Sequence, residues 1–169
     1  QAVEIAFSPD ETWMVYRDGS AGSIVGGRDI KGVKRGDTTR VPLIVTRYDE
    51  EAVAISPDGK WIAYQSDETG KTEIFIRSFP NTDAFKRQVS NGGGEAPLWS
   101  RDGRELFYVA ASKDMMAARI SADAPPQANV AQPTRLFHVP DDLLNVEYAF
   151  YTPWDVAADG RFIMARVRR

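Results

Sequence analysis

Between Glu51 and Gly94, short apolar runs alternate with polar breaks at the spacing of strands and turns. Ala52 to Ser56 leads into Pro57-Asp58-Gly59-Lys60, Trp61 to Ser66 into the break at Asp67 to Lys71, and Thr72 to Ser78 alternates with period two. A weaker polar run, Phe85 to Ser90, ends in Asn91-Gly92-Gly93-Gly94. Each run is rich in β-branched or aromatic residues and bounded by Pro, Asp, Asn or Gly, so the pattern predicts four strands in an antiparallel meander.

The turn of this unit recurs. Ser8-Pro9-Asp10-Glu11 precedes Trp13-Met14-Val15-Tyr16, Ser100-Arg101-Asp102-Gly103 precedes Glu105 to Val109, and Ala157-Ala158-Asp159-Gly160 precedes Phe162 to Ala165. The turn aspartates Asp10, Asp58, Asp102 and Asp159 are 48, 44 and 57 residues apart, close to the repeat of a propeller blade with the excess placed in loops. The expectation is an all-β chain of about fourteen strands, a partial β-propeller of three and a half four-stranded antiparallel blades. Blade limits fall at 1–50, 51–94, 95–151 and a half blade 152–169, within a single domain.

Around the clean second unit, the first reads as strands Val3 to Ser8, Trp13 to Arg17, a poor one at Asp29 to Val33, and Arg40 to Val45. Pro42 demotes the last to a sheet edge, where a missing N–H costs nothing. The third reads as Ala96 to Ser100, Glu105 to Ala110, Met115 to Ile120 and Thr134 to Val139, with Ala122 to Pro133 as its most loop-like part. A long connection, Pro140 to Tyr151, carries Leu143, Leu144, Tyr148, Phe150 and Tyr151; such a loop is expected to be packed or functional. The innermost strand of each blade is expected to be the most buried.

Ser-Pro-Asp-Gly-Lys-Trp-Ile-Ala-Tyr at 56–64, Glu73-Ile74-Phe75-Ile76, and Gly92 to Gly103 together resemble the TolB-like (WD40-like) propeller repeat. Arg101 to Tyr108 and Asp155 to Phe162 look like the C-terminal propeller attached to many bacterial serine/threonine protein kinases. The resemblance implies a binding scaffold or sensor, an extracytoplasmic setting, and a place in a larger protein. Two departures stand out: Glu11 where the repeat has Gly, and Ala157-Ala158 where it has Ser-Pro. The chain holds no His-Arg-Asp loop, Asp-Phe-Gly or kinase glycine loop. Gly92-Gly93-Gly94 precedes a strand with Pro97 rather than a helix, so it is not read as a phosphate cradle.

Composition narrows the chemistry. With 43% hydrophobic and 27% charged residues and a net charge of −3, the chain has an ordinary core and no footprint for nucleic acid. The basic clusters, Lys31-Lys34-Arg35 and Arg166-Arg168-Arg169, read as solvated edges. The absence of cysteine excludes thiol catalysis and Cys-ligated zinc, and no run is long enough to span a bilayer as a helix. No cofactor, metal or membrane insertion is expected.

The recurring aspartates read as turn formers, since Asp-Gly between strands supplies side-chain capping and positive φ. His138, the single histidine, shares a strand face with Leu136 and reads as outer-strand packing. Ser56 and Ser100 lack a nucleophile elbow. The carboxylates Asp49-Glu50-Glu51, Asp67-Glu68 and Asp141-Asp142 read as solvated loop charge, and Trp13, Trp61, Trp99 and Trp154 as repeat-core positions. The reading is a non-catalytic interaction propeller whose protein or peptide partner meets one loop face: Arg47, Tyr48, Asp67, Glu68, Glu95, Asp141, Asp142, Tyr148, Phe150 and Tyr151. The alternative is a hydrolase or lyase acting on a sugar or peptide through loop carboxylates. An open arc would leave apolar blade faces bare, so self-association or completion by further blades is expected.

Overall fold

The Ser-x-Asp turn is built from its own side chains. Ser56 Oγ accepts the Trp61 N–H (3.0 Å) and donates to Asp58 Oδ1 (2.6 Å), which also accepts the Lys60 N–H (3.1 Å). Ser8 with Asp10 and Ser100 with Asp102 repeat the arrangement. The residue after the aspartate must be left-handed: Gly59 and Gly103 sit at φ 69° and 70°, and Glu11 is held at φ 56°. The first turn therefore keeps its shape at a strain of about 1 kcal/mol for an L residue there.

These turns organise a computed structural model that describes residues 2–19, 27–124, 127–143 and 152–165. β1 (Ala2–Phe7), β2 (Trp13–Asp18), β3 (Asp29–Lys34) and β4 (Val41–Ile44) pair antiparallel in sequence order, with Pro42 on the edge strand as expected. β5 (Glu50–Ile55), β6 (Trp61–Ser66), β7 (Glu73–Ser78) and β8 (Lys86–Gln88) repeat that sheet. The third is β9 (Gly94–Trp99), β10 (Glu105–Ala110) and β11 (Asp114–Ala124), and the fourth holds β14 (Trp154–Val156) and β15 (Phe162–Met164). This is the partial propeller expected, an arc of three blades and half of another.

Sheets stack face on face across three apolar seams. Blade 1 offers Trp13, Val15, Ile30 and Ile44 to Ile62, Tyr64 and Phe75 of blade 2. Blade 2 offers Trp61, Ala63, Ile74 and Ile76 to Trp99, Leu106 and Tyr108 of blade 3. Phe107, Val109 and Met115 then meet Trp154, Val156 and Phe162 of the half blade. All four tryptophans are buried in these seams, as core positions should be. Burial peaks in β6, buried throughout, rather than in β5, whose second half is only partly covered. An inner strand has blades at its sides but none across the axis.

Three expectations need correction. Ala122 to Pro133 is not a plain loop: β11 runs on to Ala124 and pairs with β12 (Gln127–Val130), while its first half pairs with β13 (Thr134–His138). Ala128 and Val130 pack on the blade 2–3 core, so the added hairpin seals that seam from outside and brings the described strands to fifteen. The fourth turn, without its serine, is one residue tighter, closing Ala157 N–H on Arg161 O where blade 2 closes Ser56 N–H on Trp61 O. The slip reverses which side each β15 residue faces: Phe162 and Met164 turn inward and Ile163 outward, 57% exposed. His138 does not pack; 54% of its side chain is exposed, and Nδ1 lies 3.0 Å from Asp114 Oδ1 beside Arg135. Hydrogen bonds from Arg135, His138 and Ser112 pull the Asp114 carboxyl down to about 2.

Candidate interaction face

In an antiparallel meander, alternate connections emerge at one end. The β4–β5 link (45–49), the β6–β7 link (67–72), the β10–β11 turn (111–113) and the β13–β14 link therefore share an end of the arc. The Asp49 N–H donates to Asp67 Oδ1 at 3.0 Å and ties the first two together. Arg47 stands exposed with its guanidinium 5.0 Å from the Tyr48 ring centre, and Nη2 donates to the Tyr48 hydroxyl (2.7 Å). Lys86 bonds Glu68, and Lys113 Nζ donates to Asp141 Oδ1 (2.7 Å). Asp142 is exposed beside Asp141, and Glu95 is half-buried on β9. Tyr148, Phe150 and Tyr151 lie outside the described residues. Leu143, from the same link, packs against the blade 3–4 core.

Beneath this rim lies a layer of charge that the sequence reading missed. Glu50 and Glu51 are not loop acids: both belong to β5 and both are buried, Glu50 completely. Glu51 is bonded by Arg28 and accepts from Gln65 Nε2 (3.1 Å), while Gln65 Oε1 accepts the Ala96 N–H (2.9 Å) in blade 3. Glu4 Oε1 accepts the Val53 N–H (2.8 Å), and Glu4 Oε2 lies 3.8 Å from Arg17 Nε. Burial pushes the Glu4 carboxyl up to about 7 against its hydrogen bond from Val53 and the charge of Arg17. Burial likewise raises Glu50 to about 7, despite the hydrogen bond from Thr46 Oγ1 (2.6 Å). Clues existed in the sequence, since these acids stand where a strand's apolar run begins.

Gly92 and Gly93 do present their N–H groups to a carboxylate, but it is internal. Glu73 Oε1 accepts both at 2.9 and 3.0 Å, and Ser90 bonds its other oxygen. Burial would raise Glu73, yet the bonds from Ser90, Gly92, Gly93 and Lys71 outweigh it and hold the group below the usual range. The glycine run is thus filled by its own acid.

The basic cluster at 31–35 is also engaged: Lys31 reaches Asp18 at 2.8 Å, Arg35 reaches Glu11 at 3.1 Å, and Lys34 lies over the Trp13 ring. No group of three metal-ligating side chains occurs among the described residues. At the opposite end of the arc a polar cavity of about 610 Å³ opens between the turns of blades 2 and 3, lined by Asp58, Asp102, Arg104, Glu105, Arg119 and Ser121. Asp58 and Asp102 are already committed to closing those turns.

The architecture defines an open arc of a β-propeller, and its fold is TolB-like. It is similar to TolB from Acinetobacter baumannii, with 14% identity and a TM-score of 0.64 over 97% of this chain and 37% of that one. A protein provisionally named TolB from Agrobacterium tumefaciens matches at 17% and 0.61, over 97% of this chain and 58% of that one. A protein provisionally named a 6-phosphogluconolactonase, from Bacteroides uniformis, matches at 16% and 0.55, over 96% and 46%. The chain thus spans between about a third and three fifths of these proteins' lengths. No family model matches the sequence, and no curated protein matches it.

Proposed function

We propose that this chain acts as a non-catalytic interaction domain, holding a protein or peptide on the face built by Arg47, Tyr48, Asp67, Glu68, Glu95, Asp141 and Asp142. The observation that carries the reading is how the face is made. An Arg47–Tyr48 pair, Arg47 exposed and Tyr48 half-buried, of the residue types that anchor protein contacts, stands on a rim of both charges, and the layer beneath locks β5 to its neighbours through Glu51, Arg28, Gln65 and Ala96. A rigid platform under a mixed polar rim suits recognition. The TolB-like fold supports a binding scaffold by analogy alone.

A second reading is a hydrolase or lyase acting on a sugar or peptide, in which Glu4, raised to about 7 by burial, would hold the proton a general acid donates; Glu50 has no exposed surface from which to reach a substrate. The likeness to a protein provisionally named a lactonase points the same way. Two assays separate the readings. Arg47→Glu with Tyr48→Ala should abolish capture of selected peptides while leaving the melting transition in place. Turnover of a sugar lactone, glycoside or peptide that disappears in Glu4→Gln would overturn the binding-only reading.

A further inference from the structure

We propose that the folded chain modifies itself at Asn91: the Gly92 nitrogen closes on the Asn91 carboxamide, Glu73 carries the proton, and an aspartyl or isoaspartyl residue results. The chemistry is independent of the peptide-binding reading. Asn91-Gly92 is the one Asn-Gly pair in the chain, since Asn81, Asn129 and Asn145 precede Thr82, Val130 and Val146. Those β-branched residues carry two heavy atoms on Cβ that crowd the nitrogen. Gly92 has no such cover: a side chain there would meet nothing within 4 Å, and both residues are exposed. No hydrogen bond holds the Asn91 side chain among the described residues, so its carboxamide can swing over the peptide that follows.

What the fold adds is a base. The Gly92 N–H donates to Glu73 Oε1 at 2.9 Å; Ser90 bonds the other oxygen of this buried carboxylate, and Lys71 Nζ lies 3.4 Å from it. The N–H lies in the peptide plane, whereas attack on carbon uses nitrogen electrons perpendicular to that plane, so the two directions do not compete. As the bond from the Gly92 nitrogen to Asn91 Cγ forms, the N–H proton passes to Glu73. As the Cγ–Nδ2 bond breaks, Glu73 returns that proton and ammonia leaves. Water then opens the cyclic imide at either carbonyl, leaving an aspartyl or isoaspartyl residue at position 91.

The Asp-Gly turns provide the contrast within the same chain. The N–H groups of Gly59, Gly103 and Gly160 donate to the carbonyls of Ser56, Ser100 and Ala157, not to a carboxylate. Asp58, Asp102 and Asp159 each accept the N–H two residues further on, which pins them away from the following nitrogen. Reaction is therefore confined to position 91. Its isoaspartyl product adds a main-chain carbon where there is no slack: a Cβ at Gly93 would stand 2.7 Å from Ala111 Cβ, and one at Gly94 2.7 Å from Ser90 Oγ. It also sets a new carboxylate beside Glu73. Both effects loosen the link between blades 2 and 3.

The test ages the folded 169-residue chain for weeks in neutral buffer. Ion exchange should show a growing variant with one more negative charge, and peptide mapping should place the aspartyl and isoaspartyl products at position 91, with Asp58, Asp102 and Asp159 unchanged. The modified chain should melt below the fresh one. Glu73→Gln should slow the reaction at least about tenfold. If that variant fails to fold, a synthetic peptide of residues 88–95, which lacks Glu73, decides the matter: the folded chain should react faster than the peptide. An intact Asn91, modification at the aspartates instead, an unchanged melt, a wild-type rate in folded Glu73→Gln, or a folded rate at or below that of the peptide would each overturn the proposal.

Discussion

Glu4 Oε1 accepts a hydrogen bond from the backbone N–H of Val53 at 2.8 Å, so a carboxyl on the innermost strand of blade 1 is fastened to the innermost strand of blade 2. Apolar side chains fill most of the seam between these blades, and Arg28 with Glu51 adds a second charged contact across it. A titratable group in such a place makes the seam sensitive to pH.

Glu4 and Glu50 are both raised to about 7 from an unfolded value of 4.5. An acid with a raised folded pKa binds more protons when native, so the stability it contributes is full below pH 4.5 and is lost as pH rises through 7. The upper bound is about 3 kcal/mol for each group. Urea midpoints should therefore fall between pH 5 and pH 8, and Glu50→Gln, which cannot ionise, should lose less over that window. Equal pH slopes for the wild type and Glu50→Gln would refute the assignment.

The first turn should tolerate, and profit from, the glycine that its sister turns carry. Glu11 is held at φ 56°, and its ion pair with Arg35 is exposed on both sides and so contributes little. Glu11→Gly is expected to stabilise by up to about 0.5 kcal/mol, the relieved strain of about 1 kcal/mol less the added freedom of the unfolded chain. A lower melting temperature for this variant would contradict the turn geometry.

Removing Ser56 should be costly for a hydroxyl. Its Oγ accepts the buried Trp61 N–H and donates to Asp58. Ser56→Ala leaves that N–H without its side-chain partner, at about 1 to 3 kcal/mol. Denaturant unfolding monitored by tryptophan fluorescence measures it, and a change under about 0.5 kcal/mol would mean that the motif is decorative.

In the half blade, the tightened turn makes a prediction opposite to the repeat pattern. Ile163→Ser should change stability by less than about 0.5 kcal/mol. Phe162→Ala, which removes a ring packed on Phe107, Phe137 and Trp154, should cost about 2 to 4 kcal/mol. The reverse order in thermal melts would restore the register of the other blades.

Much of the architecture was legible because the turn chemistry is local: Ser, Asp and Gly at fixed offsets specify a hairpin whatever surrounds them. What escaped depends on context. The β11–β12 hairpin was hidden by Pro125-Pro126 and by small polar residues whose alternation is faint. Glu51 looked solvated because the partners that hold it, Arg28 and Gln65, are distant in sequence, and Glu50 because its burial comes with its place in β5 rather than in a loop. His138 shows the converse, an apolar-looking face left outside because β13 is an edge strand, paired among the described strands with β11 alone. The loop-face residues Arg47, Tyr48, Asp67, Glu68 and Asp141 could be assigned to one end from strand parity alone, although their pairings could not.

The most direct measurement is an amide NMR titration with peptides selected from a random displayed library against the folded domain. The account predicts that shifts concentrate at Arg47, Tyr48, Asp67, Glu68, Glu95, Asp141 and Asp142, that Arg47→Glu with Tyr48→Ala removes them, and that the peptide is recovered intact. Shifts centred instead on Asp58, Asp102, Arg104 and Arg119 at the opposite end, or a cleaved peptide, would contradict it.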